Sequence, residues 1–108
     1  MEITARKEKG AIVVAVKGRM DAITAPDFEK HLGDLIAAGE RKFIVDLSEL
    51  EYISSAGLRS ILVIAKRLKA DHGDIRFAGM RGAVEEVFKI SGFHSIFKIF
   101  PTWEAALV

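Results

Sequence analysis

The sequence predicts an α/β fold: a single domain whose mixed sheet of four to five strands starts with an N-terminal hairpin and is packed by about four helices. Three observations predict it. The first sixteen residues read as two strands turning at Lys9-Gly10, the signature of a hairpin. Beyond them, strand-like and helix-period runs alternate, which yields strand and helix layers. The stretch from Lys42 to Leu68, KFIVDLSELEYISSAGLRSILVIAKRL, changes hydrophobic period halfway along, from buried strand to helix.

In the hairpin, Ile3 and Ala5 alternate with charged or polar neighbours, and Ala11 to Val16 resumes with strand formers. Gly18-Arg19-Met20-Asp21 is expected to leave the sheet. Thr24-Ala25-Pro26-Asp27 then opens a helix, with Thr24 as N-cap, Pro26 in the first turn and Asp27 at the capping-box position. Phe28, Leu32, Leu35 and Ile36 supply its buried stripe, and Gly39 ends it. The strand Lys42 to Asp46 follows; its unbroken Phe43-Ile44-Val45 suits burial on both faces. Strand, helix and strand make a parallel unit with an expected right-handed crossover.

From Leu58 the spacing becomes helical, with Leu58, Ile61, Leu62, Ala65 and Leu68 on one side and an end near Ala70. Asp71-His72-Gly73-Asp74 leads to a short strand, Ile75 to Ala78. After the loop Gly79-Met80-Arg81-Gly82, Val84, Val87 and Phe88 mark a third helix that Gly92 closes. Ile96, Phe97, Ile99 and Phe100 are expected as a last strand. A short helix, Trp103 to Leu107, follows, capped by Thr102, with Trp103 on the core.

Composition narrows the function classes. Half of the 108 residues are hydrophobic, enough for one ordinary core across residues 1–108 and no second domain. There is no cysteine, which excludes disulfides and thiolate metal sites. Sixteen basic residues against fifteen acidic ones argue against nucleic-acid binding through bulk charge. The run Ile61 to Ala65 falls far short of the ~18 apolar residues that suggest a membrane span. MEITARKEKG has no signal-peptide features, so a soluble intracellular domain is expected.

Ser54-Ser55-Ala56-Gly57 stands where the helix begins. Either serine can serve as N-cap, and residue chemistry alone favours capping as the whole role. A phosphate there would meet unpaired backbone N–H groups and the positive end of the helix dipole. Asp46 and this segment follow one strand and Asp21 follows another, so they are expected to gather at one end of the domain, where such sheets meet ligands and partners. Asp21, Asp46 and Glu49 read as structural rather than catalytic or metal-binding, and Asp46 is suited to accept backbone N–H groups of the residues after it.

His31, His72 and His94 lack the spacing of a helical metal pair. The serines do not form a nucleophile elbow, which needs a preceding glycine, and Gly79-Met80-Arg81-Gly82 lacks the length and the lysine of a phosphate-binding loop. Ala56, Arg59 and Val63 share the outer face of the helix. An outward valine makes that face a candidate for partner contact.

With these landmarks, the chain resembles the STAS domain family, specifically the stand-alone bacterial anti-sigma factor antagonists. The carriers are Gly18-Arg19-Met20-Asp21, Asp46-Leu47-Ser48 and, most specific, Tyr52-Ile53-Ser54-Ser55-Ala56-Gly57-Leu58. The resemblance implies a STAS-like fold and a non-enzymatic switch without catalytic residues, cofactor or metal. Antagonists of this family bind a cytoplasmic anti-sigma factor that is also a serine kinase, making it release a sigma factor. The kinase phosphorylates the serine two places before the helix glycine, Ser55 here, and a metal-dependent serine phosphatase reverses the change.

The implied partner surface is Asp21, Thr24, Ser54, Ala56, Gly57, Arg59 and Val63, in a cytoplasmic protein with no direct nucleic-acid contact and no membrane span. Ser54 and Ala56 depart from the family, where many members have Asp before the acceptor and a hydroxyl residue after it; Ser54 thereby becomes a rival acceptor. The alternatives are a non-phosphorylated STAS subunit of a transporter or stress-signalling assembly, and a small nucleotide-binding α/β protein. A phosphoaspartate receiver ranks below both, because Ile3 to Lys9 supplies only Glu8.

Overall fold

A computed structural model describes residues 1–107 of the chain. Its order is β1 (Glu2–Glu8), β2 (Ala11–Met20), α1 (Ala25–Ala37), β3 (Lys42–Ile53), α2 (Ser55–Ala70), β4 (Asp74–Ala78), α3 (Gly82–Ile90), a 3-10 turn (Phe93–Ser95), β5 (Lys98–Phe100) and α4 (Trp103–Ala106). The strands lie in the spatial order β1-β2-β3-β4-β5. The β1–β2 pair is antiparallel and the other three are parallel, as a hairpin followed by helical crossovers requires.

Strand alternation sends side chains to two unequal layers. Ile12, Val14, Val16, Phe43, Val45, Ile75 and Phe77 face α1, α2 and α3 and make the main core. Phe77, Phe88, Phe93 and Phe97 form a cluster with centroids 5.0–5.6 Å apart, edge-to-face in three pairs and tilted between Phe77 and Phe97, arrangements favoured by aromatic quadrupoles. On the opposite face Ala11, Val13, Ile44 and Ala78 are covered by α4, with Trp103 packed against them. Thr102 caps α4 by accepting the Ala105 N–H at 3.1 Å, as expected, and the Arg6 guanidinium lies 4.5 Å from the Trp103 ring centroid.

Several boundaries differ from the sequence reading. β2 does not leave the sheet at Gly18, and β3 does not stop at Asp46; both continue, paired with one another, to Met20 and Ile53. The ladder there is interrupted by register shifts between Ala15 and Lys17 and between Gly18 and Arg19. Two extra residues on β3 break the period-two alternation that announces a strand, so SELEY reads as a loop.

The buried stripe of α2 is Gly57, Ser60, Ile61, Ile64 and Leu68, while Leu58, Leu62 and Ala65 flank it half-buried. Ser60 is tolerated inside because its hydroxyl donates to Glu29 Oε2 of α1 at 2.6 Å. Ile96 and Phe97 lie outside β5, between the 3-10 turn and the strand; Phe97 joins the aromatic cluster and Ile96 is 60 % exposed.

Candidate functional site

Parallel pairing sets the ends of β2 and β3 side by side, Arg19 opposite Tyr52 and Met20 opposite Ile53. The segments that follow, Asp21–Thr24 and Ser54–Gly57, therefore emerge together. They are stitched by the Ser54 N–H, which donates to the Met20 carbonyl at 2.9 Å. Asp46 does not join them, contrary to expectation. It sits mid-strand opposite Ala15 and Ala78, where its Oδ1 accepts the Ser48 N–H at 3.0 Å, the local backbone role its chemistry suggested.

The two serines divide their roles. Ser54 has extended backbone, and its Oγ accepts the Gly57 N–H at 3.2 Å, making it the N-cap of α2. Ser54 is the single residue between β3 and α2. Ser55 is the first helical residue and is exposed. No acidic residue lies in the first turn, so the positive end of the helix dipole is uncompensated there. Arg59 is exposed one turn on, at the i, i+4 spacing that brings two side chains to neighbouring positions.

Gly57 is buried, so it serves the site by close packing rather than by facing a partner. A Cβ at Gly57 would lie 2.7 Å from Ile53 Cγ1 and 3.0 Å from the Met20 carbonyl oxygen. Only the missing side chain lets the helix start this close to the sheet.

The Asp21 turn differs from the predicted cap. Thr24 precedes α1 with helical backbone and no side-chain capping bond, so the Thr24–Asp27 capping box does not form. The Asp27 N–H goes to the Thr24 carbonyl at 2.9 Å, and Asp21 ties the turn ahead of the helix, its Oδ1 accepting the N–H groups of Ile23 at 3.0 Å and Thr24 at 3.1 Å. The Thr24 hydroxyl accepts the Asp21 N–H and donates to the Arg19 carbonyl, both at 2.9 Å. The Thr24 N–H is the chief reason that the Asp21 carboxyl titrates below its ordinary value; burial opposes this, and the Ile23 N–H, the Thr24 hydroxyl and Arg19 reinforce it.

This turn presents Ile23, which sequence reasoning missed, with 85 % of its surface exposed. The turn lacks any periodicity that would flag an outward apolar residue; the signal available was an isoleucine between two hydrogen-bonding residues. Next to it, the Arg19 guanidinium lies 4.2 Å from the centroid of the exposed Tyr52 ring. On α2, Ala56 is half-buried, and Arg59 and Val63 are exposed, Val63 to 43 %. The end of the domain thus carries an exposed serine hydroxyl, a cation one helical turn away and scattered apolar surface. His31, His72 and His94 are all exposed, and among the described residues no group of three or more acidic or histidine side chains is arranged to hold a metal ion.

The STAS domain family model matches residues 2–106, and the chain belongs to the STAS domain family. Among its relatives is a protein of Bordetella bronchiseptica provisionally named the anti-sigma factor antagonist BtrV, 39 % identical over 98 % of this chain and 91 % of that protein. The anti-sigma-F factor antagonist RsfB of Mycobacterium tuberculosis is 26 % identical over 97 % of this chain and 85 % of its own. The crystal structure of an anti-sigma factor antagonist from Mycobacterium paratuberculosis superposes with a TM-score of 0.89 at 26 % identity, covering 98 % of this chain and 90 % of that one. Among the described residues, no helix is long and apolar enough to cross a membrane.

Proposed function

We propose that this protein is an anti-sigma factor antagonist that docks a cytoplasmic serine-kinase anti-sigma factor through the Asp21 turn and the start of α2, and that phosphorylation of Ser55 switches it off. The observation that carries the reading is the division between the serines. Ser54 spends its oxygen on the Gly57 N–H, whereas Ser55 stands exposed at the first helical position. The relatives' names supply the partner class, an anti-sigma factor.

The physics of the switch is local. A phosphoserine adds about −1.5 to −2 charge and three acceptor oxygens. At Ser55 the helix N-terminus and Arg59 can hold that charge, so the scaffold tolerates it. A partner packed on a surface that also presents apolar Ile23 and Val63 then has to accommodate a dianion, with like-charge repulsion and desolvation to overcome. Inverting a complex from about 99:1 to 1:99 takes roughly 5.5 kcal/mol, within reach of one buried phosphate facing an acidic or apolar patch. A metal-dependent serine phosphatase would restore the docking form. The chain itself contributes a substrate side chain and a surface and performs no catalysis.

The test is phosphorylation of the purified protein by its cognate kinase with ATP, followed by peptide mass spectrometry. Phosphate on Ser55, its loss in Ser55→Ala and weaker kinase binding by Ser55→Asp are expected. Stoichiometric phosphorylation of Ser55→Ala moves the acceptor to Ser54 or ends the proposal.

A further inference from the structure

We infer that a groove between the C-terminal half of α2 and β5, remote from Ser55, binds a medium- to long-chain fatty carboxylate. β5 pairs only with Arg76, Phe77 and Ala78 of β4. Asp74 and Ile75, the first two residues of β4, therefore have no strand on their outer side. Beside this gap lies a groove of about 500 Å³ with Leu62, Ala65, Leu68, Ile75 and Phe97 among its lining. That size falls in the range of small-molecule sites. The groove starts at Leu62, seven residues along α2 from Ser55, or about 10 Å along the helix axis.

Charge around the groove selects the ligand. Lys66, Lys69 and Lys98 line it, and none of them takes part in the ion pairs found among the described residues. The one carboxylate in the lining, Asp74, is already engaged by Arg76 Nε at 3.0 Å. An apolar floor bordered by unneutralised ammonium groups complements a molecule that is hydrocarbon along its length and anionic at one end. Sugars and nucleobases do not fit that description, because their polar edges would lie unpaired on Leu62, Leu68 and Phe97. An acyl chain needs no directional partner along the floor. Its carboxylate gains charge-assisted contacts with lysine.

The inference is independent of the phosphorylation switch, and its test is separate. Calorimetric titration of the full chain with decanoate below its micelle concentration is expected to give one saturable site, with amide shifts centred on residues 62–69 and 96–98. Each methylene added from octanoate to decanoate is expected to raise affinity by up to about fourfold. Decanol and the double variant Lys66→Glu/Lys69→Glu are each expected to bind about tenfold more weakly, a loss of one charge-assisted contact, with the variant still folding cooperatively and its thermal midpoint lowered by no more than a few degrees, since Lys69 lies in the last turn of α2. Ser55→Ala should bind decanoate as the unaltered protein does. Absence of saturable decanoate binding, equal affinity for decanol or indifference to the lysine reversal would overturn the inference. Co-sedimentation with phosphatidylglycerol vesicles in place of decanoate binding would overturn it in favour of a membrane surface.

Discussion

Gly57→Ala is the substitution in which the geometry of the site can be turned into a magnitude. The new Cβ would sit 2.7 Å from Ile53 Cγ1, 3.0 Å from the Met20 carbonyl oxygen and 3.1 Å from Met20 Cγ. Carbon atoms pack comfortably at ~3.5 Å or more, so the first turn of α2 has to retreat by roughly 0.8 Å. Neither neighbour yields readily, because Met20 and Ile53 are buried residues of adjacent strands and the Met20 oxygen belongs to the backbone. A retreat on that scale would also stretch the 2.9 Å bond from the Ser54 N–H to the Met20 carbonyl. Overpacking of this kind costs about 1–3 kcal/mol, against which alanine's better helix propensity returns at most ~1 kcal/mol.

The net expectation is a destabilisation of about 1–2 kcal/mol. At about 4–8 °C per kcal/mol for a domain of this size, the thermal midpoint should fall by roughly 5–15 °C. Urea unfolding monitored at Trp103, alongside calorimetry, measures both quantities. Phosphorylation by the cognate kinase should also slow, because Ser55 moves with the displaced turn. A Gly57→Ala protein as stable as the original, or more so, would refute the claim that close approach fixes the start of α2.

Ser54→Ala should lose about 1 kcal/mol through its missing cap, whereas Ser55→Ala should stay within ~0.5 kcal/mol; equal losses in chemical denaturation would contradict the division of roles. Ile23→Asp and Val63→Asp should each weaken binding of the anti-sigma kinase about tenfold or more while leaving the thermal midpoint unchanged, as expected for exposed apolar contacts; unaltered affinity by calorimetry removes the residue from the interface. Because the folded state lowers the Asp21 pKa, the stability it contributes is complete above the unfolded-state value of about 3.9 and disappears as pH falls through the lower folded value. The carbonyl carbon of Asp21 should accordingly titrate by NMR with a midpoint below that of an unfolded peptide. A midpoint at or above the peptide's would show that the Thr24 and Ile23 N–H groups do not hold the carboxylate.

Much of the fold was legible because its signals are local. Phe43-Ile44-Val45 announced a strand buried on both faces, and all three residues are buried. The hairpin at Lys9-Gly10, the cap at Thr102 and the closing role of Gly92, which has a φ of +80°, follow from short-range chemistry. Signals dependent on distant chain were lost. β3 past Asp46 is held by β2, and its two extra residues erase the alternation. The Thr24 cap failed because its hydroxyl is turned back into the preceding turn, to the Asp21 N–H and the Arg19 carbonyl. The burial of Ser60 on α2 depends likewise on a distant partner, Glu29 of α1, which accepts its hydroxyl at 2.6 Å.

By itself the sequence determined the alternation of strands and helices, the helix opening at the paired serines and the outward position of Val63. Each of these is encoded in residue spacing within one element, since helix and strand periodicities act over a few neighbours. Tertiary structure decided which serine caps and which is exposed, set the Asp21 turn beside the start of α2 and displayed Ile23. Those outcomes rest on the pairing of β2 with β3, a contact between segments some thirty residues apart, for example Met20 with Ile53, and no local pattern carries the geometry of such a pair.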